Sequence, residues 1–199
     1  MGVSAQELIW VDVDLPNEYV SRVRKQSAGS LAIGLFTLYV MIWGMPVPDP
    51  VVDLADRLTA GDYAIRLFIL AATVTIGHEV LHAIAMVLFG RHRFDRIGWM
   101  WQRHDGWFAL HFKREVPLWA YRLSLLLPAL MLGLAGILIG LANENLWLLT
   151  GGFGALWLST GDILMVFELR KISPGRLVYD QPARTGCRVL VIEQDGKRF

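Results

Sequence analysis

The chain is poor in cysteine and in charge of either sign. Its single cysteine among 199 residues, Cys187, excludes a disulfide within the chain and a cysteine-based metal site. Charged residues make up 19% of the sequence and nearly cancel, leaving a formal net charge of +1. Without a basic excess there is no electrostatic reason to expect a nucleic-acid partner, and none is expected.

The start of the chain lacks a basic stretch of the kind that opens a secretory signal. The first apolar block begins near residue 28, and acidic residues precede it, namely Glu7, Asp12, Asp14 and Glu18. This composition predicts an N-terminal segment that is retained rather than cleaved.

The sequence is rich in long apolar blocks. Hydrophobic residues make up 54% of the chain and the mean hydropathy is +0.43, which is too apolar for an ordinary soluble domain. Four blocks are long enough to cross the roughly 30 Å of a bilayer's hydrocarbon core: 28–47, 63–89, 119–142 and 146–169. The sequence therefore predicts an all-α integral membrane protein. Its four transmembrane helices form one domain, 28–172, between an N-terminal segment, 1–27, and a tail, 173–199.

Basic residues alternate from one loop to the next. They are frequent before the first block, between the second and third, and after the fourth. The loop 44–62 has only Arg57 against four aspartates, and the loop Asn143-Glu144-Asn145 has no basic residue. By the positive-inside rule, this pattern predicts that both termini are cytoplasmic. We expect a multi-pass protein of a prokaryotic cytoplasmic membrane, with the lipid bilayer as a partner.

Two loops and the tail carry signals of their own. In the outer loop, Asp49-Pro50 followed by apolar residues to Leu58 predicts a short amphipathic surface helix. In the inner loop, Asp105-Gly106 predicts a hairpin turn between 97–104 and 107–112. In the tail, the run 188–192 is suited to a small strand. All three elements lie outside the predicted spans.

The predicted hairpin gathers aromatic residues on one face. That face comprises Trp99, Trp101, Arg103, Phe108, Leu110 and Phe112. A free strand edge of such a hairpin can accept an extended peptide by strand addition. Alternatively, the hairpin merely caps the helix bundle, and the sequence leaves both roles open.

The second apolar block contains His78-Glu79-Val80-Leu81-His82. Residues four apart on a helix share a face, so His78 and His82 can bind one metal ion. Glu79 lies beside them, where it can act as a base on water at the metal. This is the HExxH pattern of zinc hydrolases, and ionisable side chains within a span are costly and by default functional. The alternative is a pair of buried, hydrogen-bonded histidines without a metal.

A hydrolytic zinc site takes three protein ligands and keeps a fourth position open, so a third ligand is needed. Asp162 lies well inside the fourth apolar block and is the candidate. Glu144 lies in the outer loop, and Glu168 lies beside basic residues at the end of its block, where a solvated carboxylate is expected. His104 and His111 belong to the hairpin and are more typical of interfacial side chains.

Counting residues puts Asp162 at the level of the histidine pair. His78 is 15 residues past Tyr63, and Asp162 is 16 past Leu146. At 1.5 Å per residue, both lie roughly 22–24 Å below the outer boundary of the bilayer. The second and fourth spans run in the same direction, so they can meet there. The alternative for Asp162 is a buried carboxylate bonded to a serine or a histidine.

Other residues of the spans invite simpler interpretations. Pro128, within the third span, removes one helical hydrogen bond and is expected to bend that helix beside the site. Arg66 and Arg122 lie near span ends, where we expect them to extend to the interface without a chemical role.

The chain resembles the DUF3267 family of predicted membrane zincins, distant relatives of the site-2 protease (M50) superfamily. The resemblance covers roughly residues 70–190. It rests on the histidine motif, on Leu127-Pro128, on Ser159-Thr160-Gly161-Asp162, and on the tail residues Asp180-Gln181-Pro182 and Gly186-Cys187. It implies that His78, His82 and Asp162 hold zinc and that Glu79 activates water. The superfamily's aspartate usually precedes a glycine, whereas Ile163 follows Asp162 here.

These features predict a zinc-dependent intramembrane endopeptidase that cleaves transmembrane or juxtamembrane peptide segments near the cytoplasmic side. Zn²⁺ is the expected cofactor and a membrane protein or peptide the expected substrate, with no substrate-binding residue assigned. An oligomer or a membrane complex is compatible with the sequence. Two other functions stay open, namely a non-catalytic membrane subunit or scaffold with a structural zinc site, and a metal-ion carrier. The intact Glu79 argues against the first, and a single ligand cluster without an inverted repeat argues against the second.

Overall fold

The computed structural model describes residues 8–44, 60–90, 97–102, 107–181 and 186–192. The helical elements are α1 (Asn17–Trp43), α2 (Ala60–Leu88), α3 (Leu118–Pro128), a π-helical segment (Ala129–Leu134), α4 (Ala135–Ala142), α5 (Leu146–Leu158) and α6 (Thr160–Leu169). The strands are β1 (Leu8–Asp14), β2 (Ile97–Gln102), β3 (Trp107–Phe112), β4 (Val116–Pro117), β5 (Leu177–Asp180) and β6 (Gly186–Ile192).

Among the described residues, three helices are long and apolar enough to cross a membrane, and a bent pair makes up a fourth. They are α1, the stretch of α2 from Ala64, the continuous helix Leu118–Ala142, and α5 with α6. This arrangement is consistent with a multi-pass membrane protein and follows the order of the four predicted blocks. The amphipathic helix predicted between Asp49 and Leu58 lies outside the described residues, as does the Asp105-Gly106 turn.

The predicted all-α class is wrong in one respect, because the chain also forms a four-stranded antiparallel sheet in the order β1-β6-β5-β4. The predicted tail strand is present as β6, and its partner β1 comes from the N-terminal segment, pairing from Leu8 with Ile192 to Asp14 with Gly186. In β1 the alternation of side chains half-buries Val11 and Val13 and exposes the acidic residues. Local pattern does not predict this pairing, because it joins segments from opposite ends of the chain.

β2 and β3 form the predicted hairpin with a shifted register. Trp101 pairs with Phe108, and the pair nearest to the connection is Gln102 with Trp107. A two-residue turn would instead pair Trp107 with residue 104. The observed register therefore differs from that of a two-residue turn by two residues.

The third span continues through its proline. Pro128 ends α3, and the π-helical segment Ala129–Leu134 follows it directly. Proline has no N–H, so one helical hydrogen bond is missing, as predicted. The π-helical turns that follow are wider than α-helical turns, and the span remains one helix of 25 residues. Such π-helical turns often lie at functional sites.

The fourth span is bent by 44° at Ser159, between α5 and α6. Two carbonyls near the bend accept hydrogen bonds from hydroxyl groups. Ser159 Oγ donates to the carbonyl of Ala155 at 2.8 Å, and Thr160 Oγ1 donates to that of Trp157 at 2.7 Å. The Ala155 carbonyl also keeps its helical donor, the N–H of Ser159 at 2.9 Å, so the Ser159 hydroxyl adds a second bond to it. Serine and threonine hydroxyls that bond back to helical carbonyls often bend a helix. The sequence did not predict this bend.

Glycines hold α5 close to its neighbours. A Cβ on Gly152 would lie 2.6 Å from the backbone nitrogen of Ile137, so only glycine permits this contact with α4. A Cβ on Gly151 would lie 3.1 Å from Leu70 Cδ1 on α2. The fourth span therefore packs tightly against the span that carries the histidine motif.

The main hydrophobic core lies where the sheet packs on the ends of the helices. Its buried members include Val20 of α1, Met86 of α2, Leu125 of α3, Met165 of α6, Val178 of β5 and Val189 of β6. Met86 lies one turn beyond His82, and Met165 lies nearly one turn beyond Asp162. The sheet therefore anchors the helix ends directly next to the predicted ligands.

Candidate metal centre

The histidine motif lies on a regular helix. α2 runs without interruption through His78 and His82, which therefore lie one turn apart on the same face. Their Nε2 atoms are 3.0 Å apart. His78 is buried, and His82 is partly buried. The spacing of the motif thus produces two imidazoles directed at one point.

Asp162 approaches from a different helix, in the first turn of α6. Its Oδ2 lies 3.1 Å from His78 Nε2 and 3.6 Å from His82 Nε2. The bend at Ser159 separates this turn from the axis of α5. The predicted meeting of the second and fourth spans at one depth agrees with these distances.

The three ligand atoms fit a zinc ion. The sides of their triangle are 3.0, 3.1 and 3.6 Å. Ligands about 2.0–2.1 Å from a tetrahedral zinc are about 3.3 Å from one another, and catalytic sites leave the fourth position open. Among the residues that the structure describes, His78, His82 and Asp162 are the only cluster of this kind. The side chains fit zinc in number, type and spacing.

A backbone carbonyl orients His82. His82 Nδ1 lies 2.8 Å from the carbonyl oxygen of Ser124 on α3. A carbonyl only accepts, so Nδ1 must carry the proton and donate it. In the neutral ring, Nε2 then keeps its lone pair, which is the form that binds a metal. Such an outer hydrogen bond fixes both the tautomer and the orientation of a metal-binding histidine.

A hydroxyl group orients His78 in the same way. His78 Nδ1 lies 3.4 Å from Ser159 Oγ. The Ser159 hydroxyl already donates its proton to the Ala155 carbonyl, so His78 Nδ1–H is the donor in this long contact. When both imidazoles are neutral, two nitrogen lone pairs and an Asp162 carboxylate oxygen face one another. A cation stabilises such an arrangement.

Glu79 lies next to the cluster and is not a member of it. It follows His78 on α2 and is half-buried. A carboxylate beside a metal, but not bound to it, is suited to accept a proton from water.

Two arginines bind the C-terminal ends of the two helices of the bent span, Arg24 at α5 and Arg122 at α6, which carries Asp162. Arg122 on α3 donates to the carbonyls of Leu169 and Ile172 at the C-terminal end of α6, the second at 2.6 Å. Arg24 on α1 donates to the Leu158 carbonyl at the bend, at 3.4 Å. A cation is favourable at a helix C-terminus. Arg122 was expected to have no chemical role, and its contacts are structural ones that link α3 to the end of α6.

A second carboxylate joins the sheet to the bundle. Asp180, at the end of β5, accepts hydrogen bonds from the N–H of Phe112 at 3.2 Å and from the Tyr121 hydroxyl at 3.3 Å. Burial raises the pKa of Asp180 to about 6. Tyr121 lies on α3, and its carbonyl accepts a hydrogen bond from the Ser124 hydroxyl at 2.8 Å. Asp180 therefore holds β3 and β5 against the turn of α3 that contacts His82.

The other described residues that were considered as ligands are not part of the cluster of His78, His82 and Asp162. Glu144 is in the turn between α4 and α5, with a positive φ of 52°. Glu168 is exposed in the last turn of α6, as expected of a solvated carboxylate. His111 pairs with Gly98 in the hairpin, whereas His104 lies outside the described residues.

Sequence reasoning missed the two outer partners of the histidines. Ser159 had a signal, because it stands three residues before Asp162 in a polar segment of an apolar span. The Ser124 carbonyl also had a signal in the sequence, because Pro128, four residues later, has no N–H to donate to it. Neither signal identifies its histidine partner, which depends on the packing of separate helices.

Comparison with known proteins agrees with this chemistry. The model of the DUF3267 family, whose description is "Putative zincin peptidase", matches residues 70–176. The match covers more than half of the chain and includes the histidine motif, the third span and Asp162. No curated protein and no solved structure matches the chain.

Proposed function

This chain belongs to the DUF3267 family, and we propose that it is a zinc-dependent intramembrane endopeptidase. One observation carries the proposal, namely the cluster of His78, His82 and Asp162 beside Glu79, within helices long enough to cross a membrane. The family description supports a zincin-type peptidase. The position of the cluster within the spans supports a substrate that is itself in, or next to, the membrane.

Each residue has one role in the proposed reaction. His78, His82 and Asp162 hold the zinc through two ring nitrogens and a carboxylate oxygen. Zinc bound there supplies a Lewis acid that polarises a carbonyl and lowers the pKa of water to about 7. Glu79 accepts the proton of the attacking water and delivers it to the amine of the leaving peptide.

The substrate is a transmembrane or juxtamembrane segment that unwinds locally, because the carbonyls of an intact helix are engaged in hydrogen bonds. β2 and β3 form a two-stranded sheet, so each has an edge that the other does not cover. Such an edge can bind the unwound segment by strand addition. The alternating basic loops support a cytoplasmic position for the hairpin and both termini, and the proposed cleavage is on that side.

Zinc content and cleavage, measured together, test the proposal. Wild type and Glu79→Gln are purified in detergent, assayed for bound zinc, and compared in cleavage of a membrane-tethered peptide reporter. We expect about one zinc per chain in both proteins, from the three-ligand cluster. Loss of the base should slow cleavage by about 10²–10⁴-fold. Glu168→Gln is the matched control, because Glu168 is exposed at the end of α6.

Three results would contradict the proposal. If the wild type binds no zinc, the proposed metal site is refuted. If wild type and Glu79→Gln cleave the reporter equally, Glu79 is not the base. Bound zinc without cleavage in the wild type, together with loss of assembly when a ligand is replaced, favours the non-catalytic subunit with a structural zinc site.

A further inference from the structure

We infer that Pro128 is a positioning residue for the metal centre, because it withholds a helical N–H and so leaves the Ser124 carbonyl free to orient His82. The inference rests on the proposed zinc site and adds a residue to its machinery. Pro128 touches neither metal nor substrate and acts through Ser124 and His82.

Pro128 stands where its helix would require an N–H donor. In an α-helix the carbonyl of each residue accepts from the N–H four residues later. Pro128 is four residues after Ser124 and lies within α3, but proline has no N–H. The next N–H, that of Ala129, donates to the Leu126 carbonyl instead. The Ser124 carbonyl is thereby deprived of its usual helical donor.

His82 supplies the donor that Pro128 lacks. A buried carbonyl without a partner is costly, above all in a membrane, where water cannot replace the missing bond. Ser124 is almost completely buried. The replacement is His82 Nδ1–H, at 2.8 Å on the neighbouring helix.

The hydrogen bond to Ser124 determines how His82 can bind a metal. With the Nδ1 proton engaged, the neutral His82 ring directs the lone pair of Nε2 toward Asp162 Oδ2 and His78 Nε2. A restored N–H at position 128 would compete for the Ser124 carbonyl. The ring of His82 could then rotate or carry its proton on Nε2, and neither form is ready to bind zinc.

Two variants restore the N–H and differ in side-chain bulk. Pro128→Ala removes apolar volume at this buried position, whereas Pro128→Val keeps a branched apolar side chain. Zinc affinity of the purified, full-length proteins is measured by competition with a chelator of known affinity. We expect the apparent Kd for zinc to rise about 10–100-fold in both, the range for the loss of an outer partner.

Pro117→Ala is the matched control. Pro117 precedes the first turn of α3, where no carbonyl within that helix depends on its missing N–H. We expect the zinc affinity of this variant to equal that of the wild type. The same substitution at two ends of one helix thus separates the withheld N–H from any general effect of losing a proline.

The tautomer of His82 gives a readout that is independent of zinc. Nitrogen-15 NMR of the metal-free protein, with the His82 signals assigned by comparison with His82→Gln, distinguishes a proton on Nδ1 from one on Nε2. We expect Nδ1–H in the wild type and in Pro117→Ala. In Pro128→Ala and Pro128→Val, we expect the Nε2–H form to appear.

Unchanged zinc affinity in both Pro128 variants would overturn the inference. So would affinity lost in Pro128→Ala but kept in Pro128→Val, because that pattern follows side-chain volume. If both variants fail to fold, the NMR measurement on the metal-free wild type still tests the inference. A proton on Nε2 of His82 in that protein would contradict it. A wild type that binds no zinc refutes the proposed function, and its His82 tautomer still tests the link to Ser124.

Discussion

The two halves of the candidate metal centre come from helices that are built in opposite ways. α2 is uninterrupted through His78 and His82, whereas Asp162 comes from a span that bends by 44° at Ser159. A regular helix brings ligands four residues apart together by its own geometry. The bent span depends on hydroxyl groups at its bend and on arginines from α1 and α3. One half of the site is thus encoded locally, and the other half by contacts between distant segments.

The largest expected effect tests whether the two halves form one site. We expect His78→Ala, in the regular helix, and Asp162→Asn, in the bent span, to weaken zinc binding by more than the roughly 100-fold that marks the loss of an outer partner. Zinc titration of the purified variants measures this effect. Glu144→Gln is the control, because Glu144 lies in the turn between α4 and α5. If zinc affinity falls in His78→Ala but not in Asp162→Asn, Asp162 contributes no ligand, and the two helices do not form one site.

A smaller effect is expected from the support at the end of the bent span. Arg122→Met removes the charged donor from the carbonyls of Leu169 and Ile172, so the free energy of unfolding should fall by about 1.5–3 kcal/mol. Zinc affinity should fall with it, because these contacts hold the helix of Asp162. Unfolding curves and zinc titrations together provide the measurement.

Arg170→Met is the matched control for Arg122→Met. Arg170 is exposed at the end of the same helix, with its guanidinium 5.6 Å from the centre of the Phe167 ring. Equal stability in the two variants would mean that the capping contacts of Arg122 add nothing, and the bent span would then need less outside support than we infer.

The smallest effect is expected at the bend itself. Ser159→Ala removes the hydroxyl that binds the Ala155 carbonyl and accepts from His78, so we expect a loss of stability of about 0.5–1.5 kcal/mol. Zinc affinity should fall by about 10-fold, the low end for an outer partner.

Thr160→Val sharpens the result for Ser159→Ala, since Thr160 Oγ1 supports the bend at Trp157 and has no contact with His78 among the hydrogen bonds of the described residues. We expect Thr160→Val to lower stability to a similar degree and to leave zinc affinity unchanged. If both variants lower zinc affinity equally, the bend matters only for the position of Asp162, and Ser159 does not orient His78.

The helices that are long and apolar enough to cross a membrane and the three-residue cluster could be predicted from the sequence, since their signals are local. The length of each apolar block determines a span, and the spacing of His78 and His82 determines a shared helical face. Residue counting then brought Asp162 to the same depth, because the rise per residue is the same in both helices. The bend at Ser159 does not defeat this estimate, because Asp162 lies only three residues beyond it.

The β-sheet and the register of the hairpin could not be predicted from the same signals. β1 pairs with β6 across nearly the whole length of the chain, and its aspartates hide the alternation of Val11 and Val13. The pairing of β2 with β3 was predicted, but with a register two residues away from the observed one. A period of two cannot distinguish registers that differ by two residues.

The sequence by itself determined the apolar lengths, the histidine pair on one helical face, and a carboxylate at matching depth. These follow from helix geometry and from the cost of burying charge, which act within one segment. Only the tertiary structure decided which groups orient those ligands. The Ser124 carbonyl reaches His82 from another helix, Ser159 reaches His78, and Arg122 holds the helix of Asp162. Such partners form where buried polar groups of separate helices must satisfy one another, and no local pattern specifies which helices will meet.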